Sequence, residues 1–445
     1  MSNEITWRLE HEKPARLLLK YAIPAVVGTM VNSLYNIVDR IYIGHGVGSL
    51  AISGLTLTFP MLLLLQAFGM LVGVGASSRI SIFLGKKDLP MAEKILGNAL
   101  LLTFAVTTLT VIPCMIWLEE LLTWFGGSEH TIPYAVDYLC IVIPGNIFTS
   151  LSFSYNSIIR ASGYPKKAMM TMIVGAVMNI LLDPIFIFRF DMGIRGAAVA
   201  TVISMAVSAA LVMWHFVSRK SLIRFRRHGF RFDRRVVWYI VTIGISPFLM
   251  QLAGSLVNVI MNHSLQIHGG DLALGANGII VSFGMLLVML VVGIAQGMQP
   301  IVGFNYGAGH TRRVMETFRL VVITATCVMG AGWLCSLCLP EVIVRAFTSE
   351  QALIDITANG LRLNLLAFVV VGSHVTLTHF FQSIGDTGKS IFLSLSRQVL
   401  FLIPFLLILP SFFGLDGVWY AGPLSDTLSA LIAWLFLWHH VRKHR

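Results

Sequence analysis

Among the polar residues in apolar stretches long enough to cross a bilayer, six stand out: Asp39, Asn179, Asp183, Thr201, Arg397 and Asp426. The first four offer two carboxylates, an amide oxygen and a hydroxyl. Such a set of hard oxygen donors suits a small hard cation such as Na+. The same two acids could instead share one proton, because like charges in a low-dielectric site resist joint ionisation. Either chemistry would couple ion flow to another process. The third reading is a hydrogen-bond cluster that only locks helices together, although two unpaired acids make an expensive lock. Asn179 precedes Asp183 by four residues, so both share one helix face. Pro184 follows at once, which can leave nearby backbone carbonyls free as ligands. Arg397 and Asp426 have opposite signs and similar depth. They are expected to form a structural ion pair, with a second coupling site as the alternative.

The elements that must hold these residues are membrane spans. The 445 residues are 56% hydrophobic and 12% charged, against about 25% charged in soluble domains. Twelve stretches reach the roughly 20 apolar residues a span needs: 17–43, 52–83, 94–118, 132–156, 167–188, 196–217, 236–263, 275–306, 315–340, 353–381, 389–411 and 417–439. Pro24, Pro60, Pro144, Pro184, Pro247 and Pro404 fall inside them and mark expected kinks. Residues 1–16 are polar and lack a secretory-signal pattern, so the first hydrophobic helix is expected to serve as its own insertion signal.

Charge fixes the orientation. Lys and Arg gather at 8–16, 86–87, 160–167, 219–235, 312–313, 389 and 442–445, and alternate loops hold few. By the positive-inside rule both termini are cytoplasmic, which requires an even number of spans. The same rule accounts for the net charge of +11 without nucleic acid. The basic stretch 218–235 reads as a linker, with contact to anionic membrane lipid as the alternative. On 1.5 Å of rise per residue, Asp39, Asp183 and Thr201 fall near one level in the outer part of the membrane.

The chain also repeats itself at an offset of 222 residues. Gly75 matches Gly297, Gly85 matches Gly307, and Arg160-Ala-Ser-Gly163 falls on Gln382-Ser-Ile-Gly385. Slipped by one, Gly193-Ile-Arg-Gly196 falls on Gly414-Leu-Asp-Gly417. The reading is an all-α polytopic membrane protein of twelve helices in two pseudo-symmetric six-helix bundles, 1–217 and 236–445, joined by the linker 218–235. Only the first copy keeps the acids: Asp39 falls on Met261 and Asp183 near Pro404. A purely architectural role would be needed in both copies.

Weaker signals add little. The five cysteines lie in apolar stretches and read as free thiols. Gly69-x-x-x-Gly73 suits close helix packing. Gly385-Asp-Thr-Gly-Lys-Ser390 imitates a phosphate loop, but Ser383 stands where its leading glycine belongs. No cofactor is expected beyond a coupling ion, Na+ or H+.

Taken in order, Tyr35-Asn-Ile-Val-Asp39, Arg160-Ala-Ser-Gly163, Asn179-Ile-Leu-Leu-Asp183-Pro184, Gly196-Ala-Ala-Val-Ala-Thr201, Gln296-Gly-Met-Gln-Pro300 and Gly303-Phe-Asn-Tyr-Gly307 resemble the multidrug and toxic compound extrusion (MATE) family, in its DinF-like bacterial branch. The resemblance spans essentially the whole chain. It implies two lobes around a cavity that opens to either side, in a bacterial inner membrane. It implies export of bulky, often cationic, drug-like small molecules in antiport with Na+ or H+, with the cation held by Asp39, Asn179, Asp183 and Thr201. Candidate cavity residues are Asn36, Gln251, Met285 and Met289.

The rival within this architecture is a flippase for lipid-linked saccharides, which would want several cationic residues to grip pyrophosphate; apart from Arg397 the spans hold almost none. An enzyme such as a prenyl transferase would need clustered acids on a cytoplasmic loop for Mg2+, and those loops are basic. Neither enzymatic activity nor an obligatory protein partner is expected.

Overall fold

A computed structural model of the chain describes residues 2–46, 49–218 and 221–443. Every regular element among the described residues is helical, as a lipid environment demands when each backbone donor needs an internal acceptor. Eleven helices are long and apolar enough to span, and a bent pair makes a twelfth. In chain order helices 1–6 are Pro14–Gly46, Ser49–Gly85, Leu89–Ile116, Ile132–Ala161, Pro165–Arg189 and Gly193–Val217. Helices 7–12 are Arg234–Gly270, Leu272–Gly307, Thr311–Cys338, the pair Gln351–Asn364 with Phe368–Ile384, Thr387–Phe413 and Leu415–Arg442.

Three details depart from the sequence reading. Helix 10 bends by 53° between Asn364 and Phe368 with no proline to cause it. Three-residue turns do so: the amides of Leu366, Phe368 and Val370 each bond the carbonyl three residues back. Helices 7 and 8 run much closer together than 263 and 275, meeting at Gly270, where φ of 64° turns the chain. Pro404 opens a fresh α-helical turn directly after a π-helical stretch, Ser396–Leu402. The prolines at 24, 60, 144, 184 and 247 lie inside helices as expected.

The repeat is visible in backbone angles. Positive φ recurs at Lys87 and Gly309, at Gly163 and Gly385, and at Gly193 and Gly414. These pairs are 222, 222 and 221 residues apart, so the same left-handed turns close the same helices twice.

The two halves meet toward the end that carries the termini. A Cβ on Gly85 would sit 2.0 Å from the Phe304 carbonyl oxygen, and one on Gly307 would sit 2.0 Å from that of Ile82. The two contacts exchange under the repeat, since 82 corresponds to 304 and 85 to 307. Gln299 Nε2 donates to Ser77 Oγ at 3.2 Å, and these two are themselves repeat partners. A contact between equivalent positions lies on the axis relating the halves. Gly75 against Ile240, Gly244 against Leu71 and Gly297 against Ala22 extend the seam. A short helix, Ser2–His11, adds to it: the Leu9 carbonyl accepts from Asn305 Nδ2 and Arg313 Nη2 at 3.2 and 3.3 Å.

The connector between the halves is folded onto helix 3. Asn98 Nδ2 donates to the carbonyls of Gly229 and Arg231 at 3.1 and 3.2 Å, and the Asp233 amide donates to Asn98 Oδ1 at 2.9 Å. Lys94 Nζ meets Asp233 Oδ2 at 2.5 Å. The hydrogen bond from Lys94, followed by that from the Arg235 amide, holds the Asp233 carboxyl below the usual carboxylate range.

Two outcomes follow. Gly307→Ala should cost about 1–3 kcal/mol through overpacking against the Ile82 carbonyl, seen as a lower thermal unfolding temperature in detergent. Asp233 with a depressed carboxyl pKa stabilises the fold above the unfolded value of about 3.9, and that contribution is lost as pH falls through the folded value. The difference in unfolding temperature between wild type and Asp233→Asn should therefore be full at neutral pH, begin to shrink at about pH 4 and vanish only below the depressed folded value.

Candidate cation site in the first half

Four helices converge on Asp183. Helix 1 supplies Asp39, helix 4 supplies Tyr138, helix 5 supplies Asn179 and Asp183, and helix 6 supplies Thr201. Small residues let the backbones approach. A Cβ on Gly145 of helix 4 would lie 2.5 Å from Val202 of helix 6, next to Thr201. One on Gly175 of helix 5 would lie 2.2 Å from Ser208 Oγ.

The side chains meet as their spacing predicts. Asn179 Nδ2 donates to Asp183 Oδ1 at 3.2 Å and to Thr201 Oγ1 at 3.4 Å. The carboxyl groups of Asp39 and Asp183 face each other within hydrogen-bond reach, a contact that calls for a shared proton or an interposed cation. Asp183 is fully buried, and Asn179 and Asp39 nearly so. Asn179 Oδ1 and Asp183 Oδ2 are buried without a hydrogen-bond partner. Oxygen atoms left over in this way fit a small hard cation or a proton. A thiolate or imidazole metal site does not fit, as no cluster of three His, Cys, Asp or Glu side chains exists among the described residues.

Helix 5 is shaped for this. Pro184 has no N–H, so the Ile180 carbonyl lacks its helical donor. The next five residues, Ile185–Arg189, widen into a π-helix, a form that recurs at functional sites.

Tyr138 belongs to the cluster and was not anticipated. It is buried and lies near Thr201, Asp39, Tyr35 and Asp183. Tyr35 precedes Asp39 by one helical turn, so the motif around Asp39 contained that signal. Tyr138 sits in an ordinary apolar run with nothing local to mark it.

Elsewhere, Arg397 Nε meets Asp426 Oδ1 at 2.5 Å, so the opposite charges of helices 11 and 12 do pair. Of the candidate cavity residues, Gln251 and Met289 are partly buried and Met285 is exposed. The side chain of Asn36 lies outside the described residues.

Asn179→Ala removes the donor to Asp183 and Thr201 together. It should lower stability by about 1–3 kcal/mol, measured by thermal unfolding in detergent. No change would mean that the four side chains do not act as one network.

Comparison with known proteins gives the same architecture. The MatE family model matches twice, over residues 24–185 and 244–408, one match per repeat. The multidrug export protein MepA of Staphylococcus aureus (strain MRSA252) is 24% identical over 438 residues, covering 98% of this chain and 96% of that protein. MepA of Staphylococcus haemolyticus is 25% identical over 442 residues, covering 99% and 97%. A solved structure of a MOP superfamily transporter from Pyrococcus furiosus, described as having a binding pocket of reverse polarity, aligns with TM-score 0.91 at 25% identity, covering 98% of this chain and 97% of that one. An outward-facing multidrug resistance MATE family transporter aligns with the same score, identity and coverage. With both halves matched by the family model, this multi-pass membrane protein belongs to the MATE family.

Proposed function

We propose that the chain is a secondary active multidrug efflux transporter, exporting bulky, often cationic apolar compounds in antiport with Na+ or H+. The observation that carries this reading is the facing pair of buried carboxyls, Asp39 and Asp183, in a four-helix oxygen cluster. Relatives named as multidrug export proteins support the substrate class. The family consists of transporters, so no catalytic step is assigned.

The mechanism uses the chain's own groups. Asp39 and Asp183 cannot both remain charged and uncompensated in a low-dielectric site. A cation or proton entering from outside neutralises them, with the oxygens of Asn179 and Thr201 completing the set. Tyr138 packs beside Thr201 and the two acids. Helix 1 carries Asp39 and also packs along helix 8 through Ala22 and Val26 against Gly297 and Gly293. Its position therefore links the site to the seam between the lobes, 1–217 and 236–445. The lobes rock about that seam in a bacterial inner membrane with both termini cytoplasmic. Coupling follows only if the ion binds the two states with different affinity.

The test is dye transport in proteoliposomes under an imposed Na+ or pH gradient, using ethidium. The gradient that drives transport names the ion. Asp183→Asn should reduce gradient-driven transport by on the order of tenfold or more while the protein still folds and inserts. A variant that merely unfolds would mean the cluster is a structural lock. No dye movement by folded wild type under either gradient would favour the flippase reading.

A further inference from the structure

The pair in the second half has atoms to spare. Arg397 lies about 15 Å along helix 11, following Ser390 and Ser394 on the helix face that meets Ser246 of helix 7. Exposed Phe392, Val399 and Leu400 mark the opposite side. The Arg397 guanidinium makes one hydrogen bond, from Nε to Asp426, and its side chain is 30% exposed. Neither Nη nitrogen bonds to any described residue. The ring of His374, on helix 10, lies near the backbone of Leu393, one helical turn before Arg397. Its Nε2 is buried with no partner, as is Oε1 of Gln398.

A structural arginine in the same fold looks different. Arg160, also buried, commits Nη1 to Asn156 Oδ1 at 3.3 Å and Nη2 to Ser157 Oγ at 3.2 Å. A lock works by saturating its polar groups, since each unpaired one is costly in low dielectric. The region around Arg397 is not saturated. Its backbone is also the π-helical stretch Ser396–Leu402, whose wider turn lets a side chain shift.

We propose that Arg397 is a carboxylate-binding subsite for net-neutral, zwitterionic amphiphiles, whose carboxylate accepts from its Nη nitrogens. Asp426 balances the guanidinium, so the site as a whole is neutral. It therefore favours a ligand of zero net charge over an anion. The planar fork of arginine matches a carboxylate in two-point geometry. The remaining acceptors on Gln398 and the His374 ring would meet polar hydrogens of the ligand. This inference rests on the multidrug reading and names one substrate class within it.

The probe is a matched pair, rhodamine B, a zwitterion with a free carboxylate, and its ethyl ester, a cation without one. Binding to the full chain in nanodiscs is followed by fluorescence polarisation. The readout is the ratio of affinities, acid over ester. Arg397→Gln should lower that ratio by about tenfold or more, and Arg397→Lys should restore part of it. Asp426→Asn should raise it, because the guanidinium loses its internal competitor. That rise keeps the test alive if Arg397→Gln does not fold, and a structural lock would not produce it. Equal losses for both dyes, or a fall in the ratio with Asp426→Asn, would overturn the subsite. Wild type that binds the ester but not the acid overturns this inference alone. Wild type that binds neither overturns it together with the multidrug reading.

Discussion

The close approach of helix 2 to helix 8 is the constraint on which the rest depends. Gly85 and Gly307 each face a carbonyl oxygen that a methyl group would strike. Between them Ser77 and Gln299 touch across the axis relating the halves. In lipid there is little hydrophobic drive to bring helices together, so contact must come from packing and hydrogen bonds. Bare backbone faces provide both. The seam sits toward the end bearing the termini, where Ser2–His11 and the folded linker also pack. The two halves are thereby joined most closely at that end.

Against that shared frame the halves differ in their polar content. The first holds two carboxyls, an amide, a hydroxyl and a phenol in one cluster. The second places apolar residues at the matching positions and carries its charges, Arg397 and Asp426, closer to the termini. One half thus holds a cluster of oxygens and the other an internally balanced pair. The frame can be symmetric while the chemistry is not, because glycine contacts fix the backbone and leave interior side chains free to diverge.

Both polar sites sit beside π-helical stretches, Ile185–Arg189 and Ser396–Leu402. Each follows or precedes a proline, Pro184 or Pro404, that interrupts the regular ladder of helix 5 or helix 11. These helices are repeat equivalents, but the widened turns are not at matching positions, one following its proline and the other preceding it. Proline removes a donor, the ladder re-registers, and carbonyls and side chains gain room that a regular α-helix would deny.

Much of this was legible in the sequence. Hydrophobic length specified the spans, since only helices of about 20 apolar residues satisfy the bilayer. The glycine offsets specified two equivalent halves, and the four-residue step from Asn179 to Asp183 specified a shared face. Other features arise only when helices distant in sequence are brought together. Tyr138 joins the polar cluster around Asp183 because helix 4 packs on helix 6, and no local pattern records that contact. The bend after Asn364 comes from three-residue turns with no proline or glycine to announce them. The unsatisfied donors of Arg397 are likewise a tertiary fact: sequence supplied a pair of opposite charges, and only packing decided that a single bond would join them.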